Sequence, residues 1–189
     1  MPKVSPEHVE ARREQILSGA RRCFARFGFE GATVPRLERE IGLSHGAIFN
    51  YYRSKLDLFF ELARRDHARF DAIWNDQGFA ALAREIAHED PAWLAVYLEF
   101  HRLLRTDPAL ARRWQRSVAL RGPEQGWLER ERATGRVRTD VSEQTLFTLL
   151  RTLLDGLVLA RTSGAELEVE PLVELVHELL RPRVDVKRA

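Results

Sequence analysis

The sequence predicts an all-α protein of about nine helices, divided into a small N-terminal domain and a larger helical domain. Apolar residues recur at helical spacing along most of the 189 residues. Runs of alternating β-branched residues joined by Asn-Gly or Asp-Gly turns, which would indicate strands, are nearly absent. Serine, threonine or proline stands before most of the apolar stripes, as is typical of helix N-termini.

The composition is that of a folded protein, and it excludes several classes. Apolar residues make up 44% of the chain and charged residues 31%, which is too apolar for a disordered chain. Because Cys23 is the single cysteine, a disulfide framework within the chain is excluded and a structural zinc site is not expected. No stretch approaches the roughly 18 apolar residues of a membrane span. We therefore expect a cytoplasmic, reducing location, no membrane partner, and no cofactor or metal.

A long helix opens the chain. Ser5 can cap its first turn, Pro6 suits the first helical position, and the apolar stripe ends at Gly28 after about 20 residues. Cys23 lies on that stripe, so we expect it to be buried in the core rather than reactive.

Two short helices follow, joined by a tight turn that contains glycine. Thr33 can cap the first, which ends at Gly42, and Ser44 can cap the second, which runs to Tyr52. Helices of this length cannot bury a core alone, so they must pack on the long first helix and on the start of the next one. The arrangement, over about residues 33–52, is that of a helix-turn-helix.

The remaining helices follow from similar signals. Ser54-x-x-Asp57 has the form of a capping box and begins a helix that runs to about residue 74. A helix that begins at Asp107-Pro108 carries Val118 before Gly122-Pro123 interrupts it, because proline removes a backbone donor. The other predicted segments are helices at 79–87, 91–104, 142–162 and 171–181, a resumed helix up to 133, and a connector at 135–141.

Positive charge is concentrated at the N-terminal end. Residues 1–55 contain ten Lys and Arg against six Glu, a net charge of +4, whereas the whole chain carries +2. A basic head on a slightly acidic body is expected of a protein that brings one end to a polyanion. Ordinary solvated arginines would give the same modest excess, so charge alone leaves both interpretations open.

The segment GATVPRLEREIGLSHGAIFNYYRSKLDL, residues 31–58, resembles the helix-turn-helix of the TetR family of bacterial transcriptional regulators. The capping, turn and apolar positions agree in register over about residues 16–62. The resemblance implies a DNA-binding domain over residues 1–55 and a helical effector-binding and dimerisation domain over residues 56–189. It also implies a repressor that binds a pseudo-palindromic double-stranded DNA operator as a homodimer and is released by a small-molecule effector.

Eight residues of this segment are candidate DNA contacts: Thr33, Arg36, Ser44, His45, Gly46, Asn50, Tyr51 and Lys55. The N-terminus of the second short helix, from Ser44, is the end that a helix-turn-helix presents to base edges. Asn50 can offer a donor and an acceptor to adenine, and His45 can donate to guanine or to a phosphate. The resemblance implies phosphate contacts at Tyr51 and Lys55.

Three features of this assignment have a second interpretation. Thr33, Ser44 and Ser54 could be helix caps alone, and Phe49 and Tyr52 are expected to be core residues rather than contacts. The family commonly has histidine or a bulky aromatic where this chain has Asn50. The resemblance therefore gives the location of the base contacts and leaves the base preference open.

The middle of the chain is rich in aromatic side chains, which could line an effector pocket. The candidates are Trp93, Tyr97, Phe100, His101, Trp114 and Trp127, with Arg130, Arg151 and Asp155 as charged neighbours. The same aromatic residues could instead fill an ordinary core, and Arg151 and Asp155 could pair with each other at i, i+4. An inward-pointing arginine would suit an anionic effector such as a carboxylate.

The last two predicted helices carry more apolar residues than one buried face needs. These are Leu146, Phe147, Leu149, Leu150, Leu153, Leu154, Leu157, Val158 and Leu159, then Leu172, Val173, Leu175, Val176, Leu179 and Leu180. We expect one face to pack on its own subunit and the other on a second copy, which gives a homodimer with a four-helix interface. Cover by the same subunit alone is the alternative.

Signatures of catalysis do not stand out. No Ser/His/Asp order, Gly-rich phosphate loop or His-x-x-x-His pattern is found, and His88-Glu89-Asp90 precedes a proline as loops do. We therefore expect a regulator and not an enzyme. The alternative function is a helical homodimeric interaction or ligand-binding protein without specific operator recognition.

Overall fold

The computed structural model describes residues 5–117 and 126–182, which form ten α-helices and no strand. The helices are Pro6–Gly31 (α1), Val34–Ile41 (α2), His45–Phe49 (α3), Lys55–Gln77 (α4), Phe79–His88 (α5), Pro91–Thr106 (α6), Pro108–Ser117 (α7), Gly126–Ala133 (α8), Glu143–Thr162 (α9) and Val169–Leu180 (α10). The all-α class is confirmed, with α7 and α8 counted separately. The predicted course of α7 through Val118 and its interruption at Gly122-Pro123 lie outside the described residues.

Side-chain caps begin several helices where the sequence predicts them. The hydroxyl oxygens of Ser5 and Ser142 each accept a hydrogen bond from the backbone N–H three residues later, at 3.3 and 3.1 Å. At α4, Ser54 Oγ accepts from the Asp57 N–H at 3.2 Å and donates to the Asp57 carboxylate at 2.9 Å. These caps fix the starts of α1, α4 and α9 by purely local chemistry.

Two helix ends differ from the prediction. The backbone of α1 leaves helical geometry at Gly28, where φ is 71°, but a further turn re-forms and carries the helix to Gly31. The third helix ends at Phe49 and does not reach Tyr52. The Tyr51 N–H donates to the Ile48 carbonyl, three residues back, at 3.0 Å. This is the hydrogen bond of a 3₁₀ turn, which is tighter than an α-helical turn.

The backbone contacts divide the chain into two compact units, and the first comprises residues 5–67 and 92–117 of the described chain. Its core is a cluster of aromatic rings from α1, α4, α6 and α7. The ring centroids of Phe59 and Phe100, for example, are 4.5 Å apart. Cys23 lies fully buried in this core, as predicted, and burial raises the pKa of its thiol to about 11.

One carboxylate lies inside this aromatic core. Asp66 of α4 is only 7% exposed. Its oxygens accept hydrogen bonds from the Arg21 guanidinium at 3.0 and 3.1 Å, from the Trp93 indole at 2.7 Å and from the Tyr97 hydroxyl at 3.0 Å. A buried charge is tolerated when it is paired and hydrogen-bonded in this way. The group therefore joins α1, α4 and α6.

The first unit is larger than the predicted DNA-binding domain. It contains α1, α2, α3, the first part of α4, nearly all of α6, and α7. The predicted domains, residues 1–55 and 56–189, divide the chain by function and not by contacts, so this division stays a prediction.

The second unit comprises residues 68–91 and 126–182 of the described chain. Within it α5 packs against α9 and α10. Trp127 of α8 covers Gly78, and its ring centroid lies 5.6 Å from that of Trp74 in an edge-to-face arrangement. Gly78 therefore serves both the turn before α5, with φ of 79°, and the close approach of an indole.

The described ranges hold neither a membrane-spanning helix nor a metal-binding cluster. None of these helices is long and apolar enough to cross a membrane. No group of three or more His, Cys, Asp or Glu side chains in the same ranges is placed to hold a metal ion.

Gly78 and Gly135 form a matched pair that tests the packing of Trp127. Both have positive φ, 79° and 72°, but a Cβ at Gly78 would overlap the indole, whereas nothing lies within 4 Å of one at Gly135. We expect Gly135→Ala to lower the free energy of unfolding by about 1 kcal/mol through backbone strain alone. Gly78→Ala should lower it by about 3 kcal/mol, because the ring must also move. Urea denaturation measures both, and equal losses would contradict this packing.

Candidate nucleic-acid interface

The helix-turn-helix is fixed on α1 by close packing. Gly19 of α1 lets α2 approach so closely that a Cβ there would lie 2.7 Å from the Ile41 Cα atom. Ile41 and Leu37 of α2 are buried, and so is Ile48 of α3. The turn between the two helices begins at Gly42, whose N–H donates to the Glu38 carbonyl at 2.9 Å. Its left-handed φ of 75° turns the chain so that the Leu43 N–H also donates to that carbonyl, at 3.3 Å. The short helices thus owe their position to α1.

The outer edge of α3 carries four of the predicted contacts. Ser44, His45, Gly46 and Asn50 are all exposed, and a Cβ at Gly46 would meet no atom within 4 Å. The His45 ring lies 4.5 Å from the Phe49 ring, which orients the imidazole along the helix. This edge combines small size with donors and acceptors, as a surface that enters a DNA groove requires.

Thr33 and Ser44 stand at N-cap positions but make no capping hydrogen bond through their side chains. Both residues are exposed. They differ in this respect from Ser5 and Ser142, whose hydroxyl oxygens do cap. Thr33 and Ser44 thus occupy the predicted cap positions, but their hydroxyls are not used within the described structure to close the helix ends.

The two predicted cations lie folded back on the end of α1. Lys55 Nζ donates to the carbonyls of Phe29 at 2.8 Å and Glu30 at 3.3 Å, and burial lowers the pKa of this lysine. Arg36 donates to the Gly31 carbonyl at 2.8 Å and stacks at 4.4 Å on a phenylalanine ring. An ammonium has three donors and a guanidinium five, so each group keeps capacity for a phosphate.

The structure places the other aromatic residues of the motif against the core. Tyr51, a predicted phosphate contact, is half-buried there, as are Phe49 and Tyr52, which the sequence predicts to be core residues. The sequence assignment left out two exposed cations of the same region, Arg39 of α2 and Arg53 of the turn before α4. Their positive charge, in a segment with a net charge of +4, was the sequence signal that could have marked them as candidate phosphate contacts.

The nine predicted effector residues belong to both units. Trp93, Tyr97, Phe100, His101 and Trp114 lie in the first unit, and Trp127, Arg130, Arg151 and Asp155 lie in the second. The buried rings of the first unit pack on one another as in an ordinary core; those of Phe100 and Trp114 are 5.1 Å apart. In the second unit Arg130 donates to the Asn75 carbonyl, and Arg151 Nε lies 4.0 Å from the Asp155 carboxylate.

A cavity of about 70 Å³ lies within the second unit. It is lined by Phe70, Asp71, Trp74, Leu82, Phe147, Arg151 and Leu154. The Trp74 indole N–H is buried and has no hydrogen-bond partner in the described part of the chain, and burial raises the pKa of the Asp71 carboxyl. Among these lining residues, Arg151 alone was predicted from the sequence as an effector residue. The others lie on ordinary helical stripes, which carry no signal of a cavity.

The helices α9 and α10 each expose two leucines. Leu149 and Leu159 of α9 are 37% and 60% exposed, and Leu175 and Leu179 of α10 are 62% and 41% exposed. Other leucines and valines of both helices are buried within the second unit. The surplus apolar face that the sequence predicts is therefore present on the described surface of a single chain.

Comparisons with known proteins agree with this geometry. Residues 16–62 match the family model of bacterial regulatory proteins, tetR family. The HTH-type transcriptional repressor Rv1474c of Mycobacterium tuberculosis is 43% identical over 185 residues, which cover 96% of this chain and 99% of that protein. The HTH-type transcriptional repressor AcnR of Corynebacterium diphtheriae is 42% identical over 185 residues, which cover 96% of this chain and 97% of that protein. The stretches GAIFNYY and LRTDP predict likeness to the bacterial aconitase repressor, and such relatives confirm it.

Solved structures share the fold. Salmonella enterica GusR superposes with a TM-score of 0.70 at 18% identity, over 95% of this chain and 99% of that one. The fatty acid degradation regulator FadR from Bacillus halodurans gives a TM-score of 0.69 at 20% identity, over 94% and 96%. At these identities the likeness concerns the fold alone.

Ser44 and Ser142 allow a matched test of the interface. We expect Ser44→Ala to weaken DNA binding about tenfold, the loss of one phosphate or base contact, with little change in unfolding free energy. Ser142→Ala should leave DNA binding unchanged and lower the unfolding free energy by about 1 kcal/mol, because it removes a working cap. Fluorescence anisotropy with labelled duplex DNA and urea denaturation give the two readouts. The reverse pattern would remove Ser44 from the interface.

Proposed function

The chain belongs to the TetR family of bacterial regulatory proteins and is a transcriptional repressor, and we propose that it recognises a pseudo-palindromic operator through the exposed edge of α3. The observation that carries this proposal is the set of Ser44, His45, Gly46 and Asn50, which are exposed together on a helix anchored by buried Ile48. Side chains of this kind read donors, acceptors and methyl groups in the major groove. The role is that of a regulator and not of an enzyme.

Phosphate contacts would surround this edge. Thr33 and Tyr51 are proposed to bind phosphates. Arg36 and Lys55 are proposed to do so as well, through the N–H donors that are not used in their hydrogen bonds to α1. The N-terminus of α2 adds the partial positive charge of its unpaired N–H groups. These contacts set the position of the head on DNA without selecting its sequence.

A second copy of the chain would cover the exposed leucines of α9 and α10. Four large apolar side chains of these helices, Leu149, Leu159, Leu175 and Leu179, are exposed on the second unit, and isolated proteins rarely leave large apolar patches in water. A two-fold axis through this face makes the interface self-complementary. The same axis relates two α3 helices, which accounts for the proposed symmetry of the operator.

The cavity beside Trp74 and Arg151 is the proposed effector site. Apolar walls and few polar groups are typical of small-molecule sites. The unpartnered Trp74 indole N–H can donate to a carboxylate oxygen, and Arg151 can pair with a carboxylate. The proposed effector is therefore a small carboxylate. Among the residues predicted from the sequence, Trp127, Arg130 and Asp155 of the same unit remain proposed effector residues. Trp93, Tyr97, Phe100, His101 and Trp114 belong to the first unit and are not proposed as part of this cavity.

Base recognition is tested on DNA selected by the wild-type protein from a random duplex pool. We expect Asn50→Ala to change the selected sequence at one position of each half-site, with a loss of about tenfold on the original operator. Gln115→Ala, which removes an exposed amide from α7, is the matched control and should change neither. Equal losses on operator and random DNA would contradict the assignment of Asn50. A wild-type chain without salt-dependent binding would instead support the alternative of a helical interaction protein.

The effector site is tested by release of operator DNA with citrate, succinate and acetate as tri-, di- and monocarboxylate probes. We expect Arg151→Ala to raise the carboxylate concentration needed for release about tenfold, because a charged hydrogen bond is lost. Arg84→Ala is the matched control, since Arg84 pairs with Glu170 and does not line the cavity. Loss of the response in Arg84→Ala but not in Arg151→Ala would place the site elsewhere.

A further inference from the structure

The kink in α1 is held by side chains from two other helices. At Gly28 the backbone takes φ of 71° and ψ of 172°, so the N–H groups that follow leave the regular helical pattern. Glu99 of α6 accepts hydrogen bonds from the N–H groups of Phe29 at 2.8 Å and Glu30 at 3.1 Å. Lys55 of α4 donates to the carbonyls of the same two residues. One peptide segment is thus bound through its donors by an anion and through its acceptors by a cation.

Glycine at position 28 is required for this arrangement in two ways. Its positive φ is strained for any other L-amino acid. A Cβ there would also lie 2.6 Å from Glu99 Oε2, so a side chain would push the carboxylate off the backbone. The glycine and the glutamate, far apart in sequence, therefore form one local device, which we call the Glu99 clamp: Gly28, Phe29, Glu30, Lys55 and Glu99.

The clamp sits where the chain enters the helix-turn-helix. Residues 28–31 are the last turn of α1, and α2 begins at Val34. Arg36 of α2 donates to the Gly31 carbonyl, which ties the first turn of α2 to the same segment. Because Glu99 belongs to α6, a residue outside the helix-turn-helix also holds the segment through which α1 joins α2, in addition to the packing of α2 on α1.

We propose that Glu99 is a positioning residue for operator binding, which sets the orientation of α2 and α3 relative to α6 through the backbone of Phe29 and Glu30. The proposal rests on the proposed function, since orientation has a measurable consequence only for a dimer that places two heads on one DNA. Half-site spacing then reports orientation, because each added base pair moves one half-site along and around the duplex axis.

The test uses the operator selected by the wild-type dimer and versions with one or two base pairs added between the half-sites. We expect wild-type binding to fall steeply with each insertion. In Glu99→Ala the ratio between the original and the lengthened operators should shrink by roughly three- to thirtyfold, the range found for residues that couple sites without contacting ligand. Glu129→Ala removes an exposed carboxylate from α8 and controls for the change in charge.

Three further variants separate positioning from stability. Glu99→Gln keeps the shape and one acceptor oxygen, so it should fold and show a smaller relaxation of spacing. Gly28→Ala should give the same relaxation, and the double variant Gly28→Ala/Glu99→Ala should relax spacing no further than either single change, because both act on one contact.

Undiminished spacing discrimination in Glu99→Gln and Gly28→Ala, or an equal loss on all three operators, would overturn the proposal, since Glu99 would then only stabilise the fold. A wild-type chain that selects no operator would overturn the proposed function and this inference with it. If the variants tolerate altered half-site spacing while the wild type does not, the result supports both the proposed function and the role of Glu99.

Discussion

The carboxylate of Asp66 is the group on which the arrangement of the first unit depends. A charge that is 7% exposed is stable only while its partners stay in place, and these partners come from α1 and α6. Loss of Arg21 or Trp93 would leave an incompletely paired charge in an aromatic core, which costs far more than a lost surface contact. The helix-turn-helix therefore rests on α1, and α1 in turn is held by α4 and α6.

Much of this fold follows from local signals in the sequence. Hydroxyl caps and the glycine at position 42 act within one turn of chain, so Ser5, Ser54 and Ser142 mark helix starts without knowledge of the tertiary structure. The helix-turn-helix is predictable for the same reason, because its turn and its buried positions are closely spaced. Helix ends are less so: α3 stops at Phe49 through a tightened turn that the apolar pattern does not encode.

The site is less predictable, because its geometry depends on residues distant in sequence. Identical residue types act differently: Ser142 caps its helix and Ser44 does not. Lys55 is predicted from the resemblance to contact a phosphate, yet its ammonium donates to an α1 carbonyl, which the neighbouring residues in the sequence do not indicate. Asp66 interrupts an apolar stripe of α4, but a single acidic residue does not indicate which distant side chains will pair with it. For the aromatic residues of the middle helices, the sequence pattern is the same whether they fill a core or line a pocket.

The side chains at the outer edge of α3 have a consequence for how such a protein changes over generations. Ser44 makes no cap and Gly46 meets no neighbour, so substitutions there are not opposed by the packing that constrains Ile48. Under the proposed recognition, stability and DNA contact fall on different positions of one short segment, residues 44–50. The proposal therefore implies that lineages with this scaffold acquire new target sequences by single changes that leave folding intact, without first accumulating compensatory mutations in the core.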